Sequence, residues 1–335
     1  MEIRAELNKN LWNEIVQASP HGTMFHSWDW LKIAEKYSKW KLMPFIIYKG
    51  DKPVGVYPIY YQKKRLLKMA FSPPPGVLQL YLGPIFAHYN SLKQSKREAL
   101  LIETQEKVNE ILSKKRINYT RIRTVPGITD CRYFRWSGYE VEPLFTYIID
   151  ISQGIETVWH GFKKELRKNI KKASNEGVVV QEGNVEDIGF IDEMITQRFR
   201  DQGMNRRGLK RYLKEVYSAL SPDYVRVFVT KYKNEMISGQ IVLCHNNRVS
   251  FWVGSPKTEV LRGIPNDLMQ WEIIKWAYNN GYRCVEIMDD GLNPRLIHYK
   301  SKFNPDLVPW YSATKYVPKF LKYVESYAKR VLSRT

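Results

Sequence analysis

The chain has 335 residues, 44% of them hydrophobic and 13% aromatic, which is enough apolar material for more than one core and excludes a disordered protein. Its 53 Lys and Arg against 34 Asp and Glu leave a formal net charge of +19, which points to an anionic partner such as nucleic acid, an anionic membrane surface or a phosphorylated substrate. Three isolated cysteines argue against a disulfide framework, and six histidines that never fall in HxxxH or HxH spacing argue against a metal site, so no metal is expected.

Residues 1–12 (MEIRAELNKNLW) are charged from the second position and hold no apolar leader core. No apolar run reaches membrane-spanning length. A cytoplasmic protein is expected, with peripheral contact to anionic lipid as an option.

The first informative stretch is 45–63, FIIYKGDKPVGVYPIYYQK, in which two β-rich runs flank the turn Gly50-Asp51-Lys52. A Pro-rich crossing (72–84), a helix over 91–114 and a strand over 119–124 follow. Residues 227–246, VFVTKYKNEMISGQIVLCHN, repeat the hairpin around Lys233-Asn234-Glu235, and placing Gly55 against Gly239 brings the two into register. Helix-rich stretches before each hairpin and strand–helix–strand patterns after each predict an internal duplication. Strands alternating with long helices predict α/β domains with mixed sheets flanked by helices. The boundary is placed near residue 150, giving domains over 1–150 and 151–335.

Between the hairpins, the stretch from His160 carries Phe162, Leu166, Ile170 and Ala173 at helical spacing. Lys163, Lys164, Arg167, Lys168, Lys171 and Lys172 cover the rest. Six cations against Glu165 repel one another unless an anion lies alongside, although most such runs are simply solvated faces. Farther on, Arg262-Gly263-Ile264-Pro265-Asn266 leads into a helix over 267–280, with Asn266 expected as its cap and Gly281 as its stop. After a strand at 284–288, Glu286, Asp289 and Asp290 are candidate general bases at a strand end. Tyr299-Lys300 and Lys302-Phe303 then mix aromatics with cations. A lysine so placed can stabilise an oxyanion on an acyl carbonyl, and the bland alternative is a surface hairpin.

Taken together these pieces resemble the Fem family, the aminoacyl-tRNA-dependent transferases that build peptidoglycan cross-bridges, and the related domain of cellulose and exopolysaccharide acyltransferases. The resemblance is carried by Phe25-His26-Ser27 with Trp30, by Gly83-Pro84, by Gly138-Tyr139 and by Thr146-Tyr147-Ile148-Ile149-Asp150. It continues in Arg167, Ile170, Lys171, Lys172, Ala173 and Gly177, then in Leu268, Gln270, Trp271, Glu272, Ile274, Trp276, Ala277 and Gly281, and ends in Tyr299-Lys300 with Phe303.

The resemblance implies two tandem acetyltransferase (GNAT)-like domains. It makes Lys300 the lysine that stabilises the transition state, flanked by Tyr299 and Lys302. It makes Arg167, Lys171, Lys172, Arg198 and Arg206 phosphate-binding residues for tRNA or acceptor. Near Trp30, Ala34 stands where the family carries a lysine for a phosphorylated acceptor, with Lys32 and Lys36 as nearby substitutes. The donor loop would be Arg262, Gly263 and Asn266. In acetyltransferases this turn cradles the pyrophosphate of coenzyme A with a Gln/Arg-x-x-Gly-x-Gly/Ala pattern, and here Val260 and Pro265 break it.

The expected activity is transfer of an aminoacyl group from aminoacyl-tRNA, as co-substrate rather than cofactor, to an amine of a cell-envelope or peptide acceptor. A second reading is an acyl-CoA-dependent N- or O-acyltransferase on a polysaccharide precursor. A third is a non-catalytic nucleic-acid or anionic-membrane binder, in which Val317, Phe320, Leu321, Val324, Tyr327 and Val331 form a basic amphipathic C-terminal helix.

Overall fold

Both hairpins form, each inside its own unit. The computed structural model describes residues 1–201, 203, 208–256, 260–289 and 293–321, with only the backbone described at 255, 256, 262 and 263. It divides into two units, one of Met1–Leu144 with the chain from Pro309 onward, the other of Phe145–Val308.

In the first unit, β1 (Glu2–Ala5), β2 (Lys41–Lys49), β3 (Lys52–Lys64), β4 (Leu67–Ser72) and β6 (Tyr119–Arg123) stand side by side in that order, with the short β5 (Ile85–Phe86) paired to β3. Helices α1 (Lys9–Ala18) and α2 (Trp28–Ser38) precede the β2–β3 hairpin, and α3 (Gln94–Lys114) joins β4 to the parallel β6. The short α4 (Arg132–Trp136) follows. In the second unit, β8 (Val179–Glu182), β9 (Val225–Tyr232), β10 (Glu235–His245), β11 (Arg248–Pro256) and β12 (Cys284–Ile287) repeat the order. There α7 (Asp187–Asp201) and α8 (Lys210–Leu220) precede the hairpin, and α9 (Ile264–Asn279) joins β11 to the parallel β12. Helices α5 (Ile155–Gly161), α6 (Lys164–Asn175) and α10 (Pro294–Lys300) complete the second unit.

The correspondence reaches single residues. Gly55 on β3 faces Ile47 of β2, and Gly239 on β10 faces Val229 of β9. Each hairpin carries one register shift, between Ile47 and Tyr48 in the first and between Met236 and Ser238 in the second. Both glycines are needed for closeness. A Cβ on Gly55 would lie 2.7 Å from the Ile85 carbonyl oxygen, and one on Gly239 would lie 2.5 Å from Ile191 Cγ1.

One expectation is corrected. The division falls at Leu144/Phe145 rather than near 150, and the chain from Pro309 returns to the first unit instead of staying with the second. The cause is strand pairing. The last stretch of β7 (Glu140–Asp150) lies antiparallel to β12, Tyr147 opposite Ile287 and Asp150 opposite Cys284, so it closes the second sheet. The end of β13 (Asp306–Tyr316) lies antiparallel to β6, Ser312 opposite Arg123 and Tyr316 opposite Tyr119, so it closes the first. Each sheet thus takes its final strand from beyond its own repeat. The proposed amphipathic C-terminal helix lies outside the described residues beyond Leu321, and Val317 and Phe320 are exposed.

The first core is built on wide aromatics, with Trp12, Phe25, Trp30, Tyr57, Tyr60 and Phe86 fully enclosed. The second packs Leu166, Ile170 and Ala173 of α6, spaced to one stripe, with Met269, Ile273 and Ile274 of α9 and with Val285 and Ile287 of β12. This stripe was legible in the sequence, and it fixes which faces of α6 remain for other work.

Candidate functional site

Helix α6 is buried along one face and flanked by two concavities. Its stripe Leu166, Ile170 and Ala173 enters the core. Glu165 and Asn169, one turn apart, face a cavity of about 600 Å³ in the second unit. Lys164, Arg167, Lys168, Lys171 and Lys172 face a second, more open groove of about 900 Å³, floored by Trp159 and His160 of α5.

The smaller cavity collects the polar groups of α9 and α10. Helix α10 is started by Asn293, whose side chain accepts from the Arg295 N–H, with Pro294 in the first turn. It ends on Lys300, which is only 9% exposed. There the Lys300 Nζ donates to the Met288 carbonyl at 2.7 Å and pairs with Asp289 Oδ2 at 2.8 Å. Both Lys300, the last residue of α10, and Lys302, in the 3-10 turn Ser301–Phe303 that follows it, line this cavity. The surface-hairpin alternative is therefore excluded. Lys302 Nζ is bonded to Glu165 Oε1 at 3.2 Å, which ties α6 to the turn after α10.

Tyr299 stands on the aromatic floor, 5.8 Å from Phe303, which in turn lies 5.3 Å from Phe162. Its hydroxyl accepts from Asn266 Nδ2 at 2.6 Å, and burial pushes its pKa well above the usual phenol range. Beside it Asp267, 4% exposed, accepts from Asn169 Nδ2 at 2.9 Å. Burial raises the Asp267 pKa, opposed by the bonds from Asn169 and Tyr299 and by the charge of Lys302.

Helix α9 begins at Ile264, after a 3-10 turn over Val260–Gly263, and not at 267. Asn266 is therefore inside the first turn and bonds Tyr299 instead of capping. Pro265, also in that turn, lacks an N–H. The backbone of Arg262 and Gly263 precedes the helix as expected, and the Arg262 side chain lies outside what is described.

The other sequence candidates fall in several places. Arg198 of α7 lines the smaller cavity. Arg167, Lys171 and Lys172 line the larger groove and not the cavity of Lys300. Glu286 has no exposed surface and does not face either. It is a tie inside the sheet, accepting from Thr146 Oγ1 of β7 at 2.9 Å and Ser250 Oγ of β11 at 3.0 Å, with Arg248 Nη1 at 3.4 Å. Asp289 sits behind Lys300 as its counterion.

In the first unit, Trp30 has no accessible surface and packs edge-on against Phe25 at 5.0 Å, so it serves the core rather than a substrate. Lys32 is paired to Glu35, and Lys36 lies over the Tyr37 ring at 5.5 Å. Arg206 and Asp290 lie outside the described residues.

Sequence reasoning missed Asn169 and Asp267. The signal was present: Asp267 stands next to Asn266 at the start of a helix whose Leu268, Met269, Ile273 and Ile274 are apolar, and Asn169 stands among the cations of α6 at the spacing that places it beside Glu165.

Residues 160–301 match the acetyltransferase (GNAT) domain model. No curated protein is similar enough in sequence to match the chain. Among solved structures, the chain is similar to FemX, with 14% identity, a TM-score of 0.72 and coverage of 93% of this chain and 97% of that one. It is also similar to L-PGS from Bacillus licheniformis, with 13% identity, a TM-score of 0.57 and coverage of 100% and 99%. A tandem GNAT protein from the clavulanic acid biosynthesis pathway gives 11% identity, a TM-score of 0.53 and coverage of 94% and 98%. Such low identities speak for the fold, and the fold is the one expected from the sequence, a tandem acetyltransferase-like α/β fold.

Proposed function

We propose that the chain is an acyltransferase that moves an aminoacyl group, delivered on tRNA, to an amine of a cell-envelope or peptide acceptor, with the chemistry in the second unit. The observation that carries this reading is Lys300. Its ammonium stands in the wall of the smaller cavity, fixed by the Met288 carbonyl and Asp289 before any substrate arrives. A cation held in place in this way favours charge that develops only in the transition state.

In the proposed reaction the acceptor nitrogen attacks the ester carbonyl carbon of the donor. The electron pair of the C=O bond moves to oxygen, where Lys300 stabilises it. Collapse re-forms the carbonyl and expels the ribose oxygen, which takes up the proton that the nitrogen loses. An ester is already activated, so positioning and charge stabilisation supply most of what is required.

The groove of Arg167, Lys168, Lys171 and Lys172 on the outer side of α6 supports a phosphate-rich donor, since its cations share one face with an aromatic floor. Coenzyme A fits less well. Pro265 removes an N–H from the first turn of α9, and Asp267 adds a buried carboxylate, where a pyrophosphate needs N–H groups and no negative charge.

Lys300→Met tests the reading with aminoacyl-tRNA and an amine acceptor. The expected result is a fall in kcat of about 10²–10³ with KM nearly unchanged, the size of losing one oxyanion donor. Wild-type turnover in Lys300→Met, or turnover by the wild type with acetyl-CoA alone, would overturn it.

A further inference from the structure

Asp267 differs from the other charged groups of the smaller cavity. Lys300 is paired with Asp289, and Lys302 with Glu165. Arg198 and Arg295 stand on exposed parts of α7 and α10, at the mouth. Asp267, by contrast, is 4% exposed, and among the described residues its hydrogen bonds come from neutral groups, the Asn169 amide and the Tyr299 hydroxyl. A helix N-terminus favours a carboxylate in its first turn, which accounts for the residue type. It does not account for the burial. A carboxylate taken out of water without a bonded cation is costly, and the rise in its pKa reports that cost. One turn on along the same face, Gln270 is 6% exposed, lines the same cavity, and has an Oε1 with no hydrogen bond among the described residues. The cavity therefore has acceptors in its wall beside the two paired lysines, and arginines on its exposed side.

We infer that Asp267, with Gln270 beside it, seats a primary ammonium group of the ligand. This rests on the proposed function for the identity of the cavity, and it adds the substrate class: a ligand with a cationic nitrogen at its inner end and phosphate at its outer end. An ammonium offers three N–H donors and a cation bonded directly to the carboxylate, so it offsets the desolvation of Asp267 and satisfies Gln270. Tyr299 and Trp252, both lining the cavity, add aromatic surface compatible with a cation. The same carboxylate disfavours a fatty acyl or acetyl group, which brings no charge to meet it. Two parts of the reaction carry such a nitrogen, the α-amine of an aminoacyl donor and the attacking amine of the acceptor.

Calorimetric binding in two arms separates the sources. The donor arm compares 3′-alanylamino-3′-deoxyadenosine 5′-phosphate with its propionyl counterpart, which lacks only the amine. The acceptor arm compares N-acetyl-lysine methylamide with N-acetyl-norleucine methylamide. In the arm that reports the true source, wild-type protein is expected to prefer the amine by about tenfold to a hundredfold, the size of a charge-assisted hydrogen bond. In Asp267→Asn, which keeps the shape and a partner for Asn169, that preference is expected to fall below about threefold, well under what a charge-assisted bond contributes. No amine preference in the wild type in either arm overturns the inference without recourse to a variant. A preference that survives in a folded Asp267→Asn also overturns it. Lys300→Met is the independent control, since it should lower turnover about 10²–10³-fold while leaving the amine preference in place. Loss of the preference in Asp267→Asn, found in a protein that shows no aminoacyl transfer, would keep the ammonium seat and reject only the reaction.

Discussion

Helices α3 and α9 hold the same place in the two sheets, each crossing between a pair of parallel strands, and their first turns meet opposite surroundings. The start of α3, Gln94-Ser95-Lys96, is exposed to solvent. The start of α9 buries Asn266, Asp267 and Gln270 at 8%, 4% and 6% exposure. Polar side chains lose hydration on burial and give it back only through specific partners, so a helix needed only for packing has no reason to bury three of them. The duplicated scaffold is thus shared, and the polar first turn of one helix distinguishes the unit proposed to do the chemistry.

The difference between the units can be probed most directly at Lys300. Lys302, in the same cavity but tied to Glu165, should lose far less turnover as Lys302→Met than the about 10²–10³-fold expected of Lys300→Met. Equal losses would mean that general positive charge, and not one placed ammonium, is what the cavity supplies.

The matched glycines give the next test. Ala at Gly55 meets the Ile85 backbone carbonyl at 2.7 Å, whereas Ala at Gly239 meets the Ile191 side chain, Cγ1 at 2.5 Å and Cδ1 at 2.7 Å. A side chain can turn away and a strand carbonyl cannot. Gly55→Ala should cost about 2–3 kcal/mol and Gly239→Ala about 1 kcal/mol, read from denaturant midpoints at unchanged m. A larger loss at Gly239 would contradict the packing described for the two hairpins.

Two histidines, His26 buried and His245 partly so, separate the units by pH. In the first unit both ring nitrogens of His26 have partners, Thr23 Oγ1 at 2.9 Å and the Gly83 carbonyl at 3.4 Å. In the second, neither ring nitrogen of His245 has one among the described residues, and burial followed by the Arg248 charge holds its pKa down to about 4. The unfolded chain, with a histidine pKa near 6.5, binds the proton more readily than the fold does. Stability from this site is therefore complete above about pH 6.5 and is lost as the pH falls toward 4, by about 3 kcal/mol. His245→Phe should flatten that part of the stability profile, and an unchanged profile would remove His245 as its source.

The smallest effect is expected in the outer groove. Lys168, Lys171 and Lys172 changed together to Gln should weaken RNA binding and make its dependence on log salt shallower by roughly 2–3, close to one unit for each phosphate that is no longer neutralised. An unchanged slope would return this face of α6 to plain solvent exposure.

The sequence was most legible where local pattern and global fold coincide. The hairpin turns at Gly50-Asp51-Lys52 and Lys233-Asn234-Glu235, the stripe Leu166, Ile170, Ala173 and the match of Gly55 with Gly239 each follow from a period of two or of 3.6 residues. Lys300 was found through its flanking aromatics and the family resemblance, and the structure adds the groups that hold it. Other features escaped. The start of α9 was set too late, at 267 instead of Ile264, because Pro265-Asn266 reads as an entry signal, whereas proline is tolerated inside a first turn. Asp267 was passed over because a carboxylate at a helix start has a sufficient local explanation. Glu286 read as a base at a strand end, although its partners Thr146 and Ser250 come from strands that no local pattern links to it. The same cause hid the exchange of β7 and β13, since which edge a strand joins is decided by pairing distant in sequence.

That exchange also bears on how the protein is made. Residues 1–144 leave the ribosome with β6 as an open sheet edge, and the strand that covers it, the end of β13, emerges only about 160 residues later, roughly ten to thirty seconds at ordinary synthesis rates. Through that interval the first unit is a nearly complete sheet with bare N–H and C=O groups, the condition under which nascent chains recruit unwanted strands. A stop codon just before Pro309 would make the interval permanent, so a truncated product should appear in the chaperone-bound or insoluble fraction even though every residue of the proposed site has been translated.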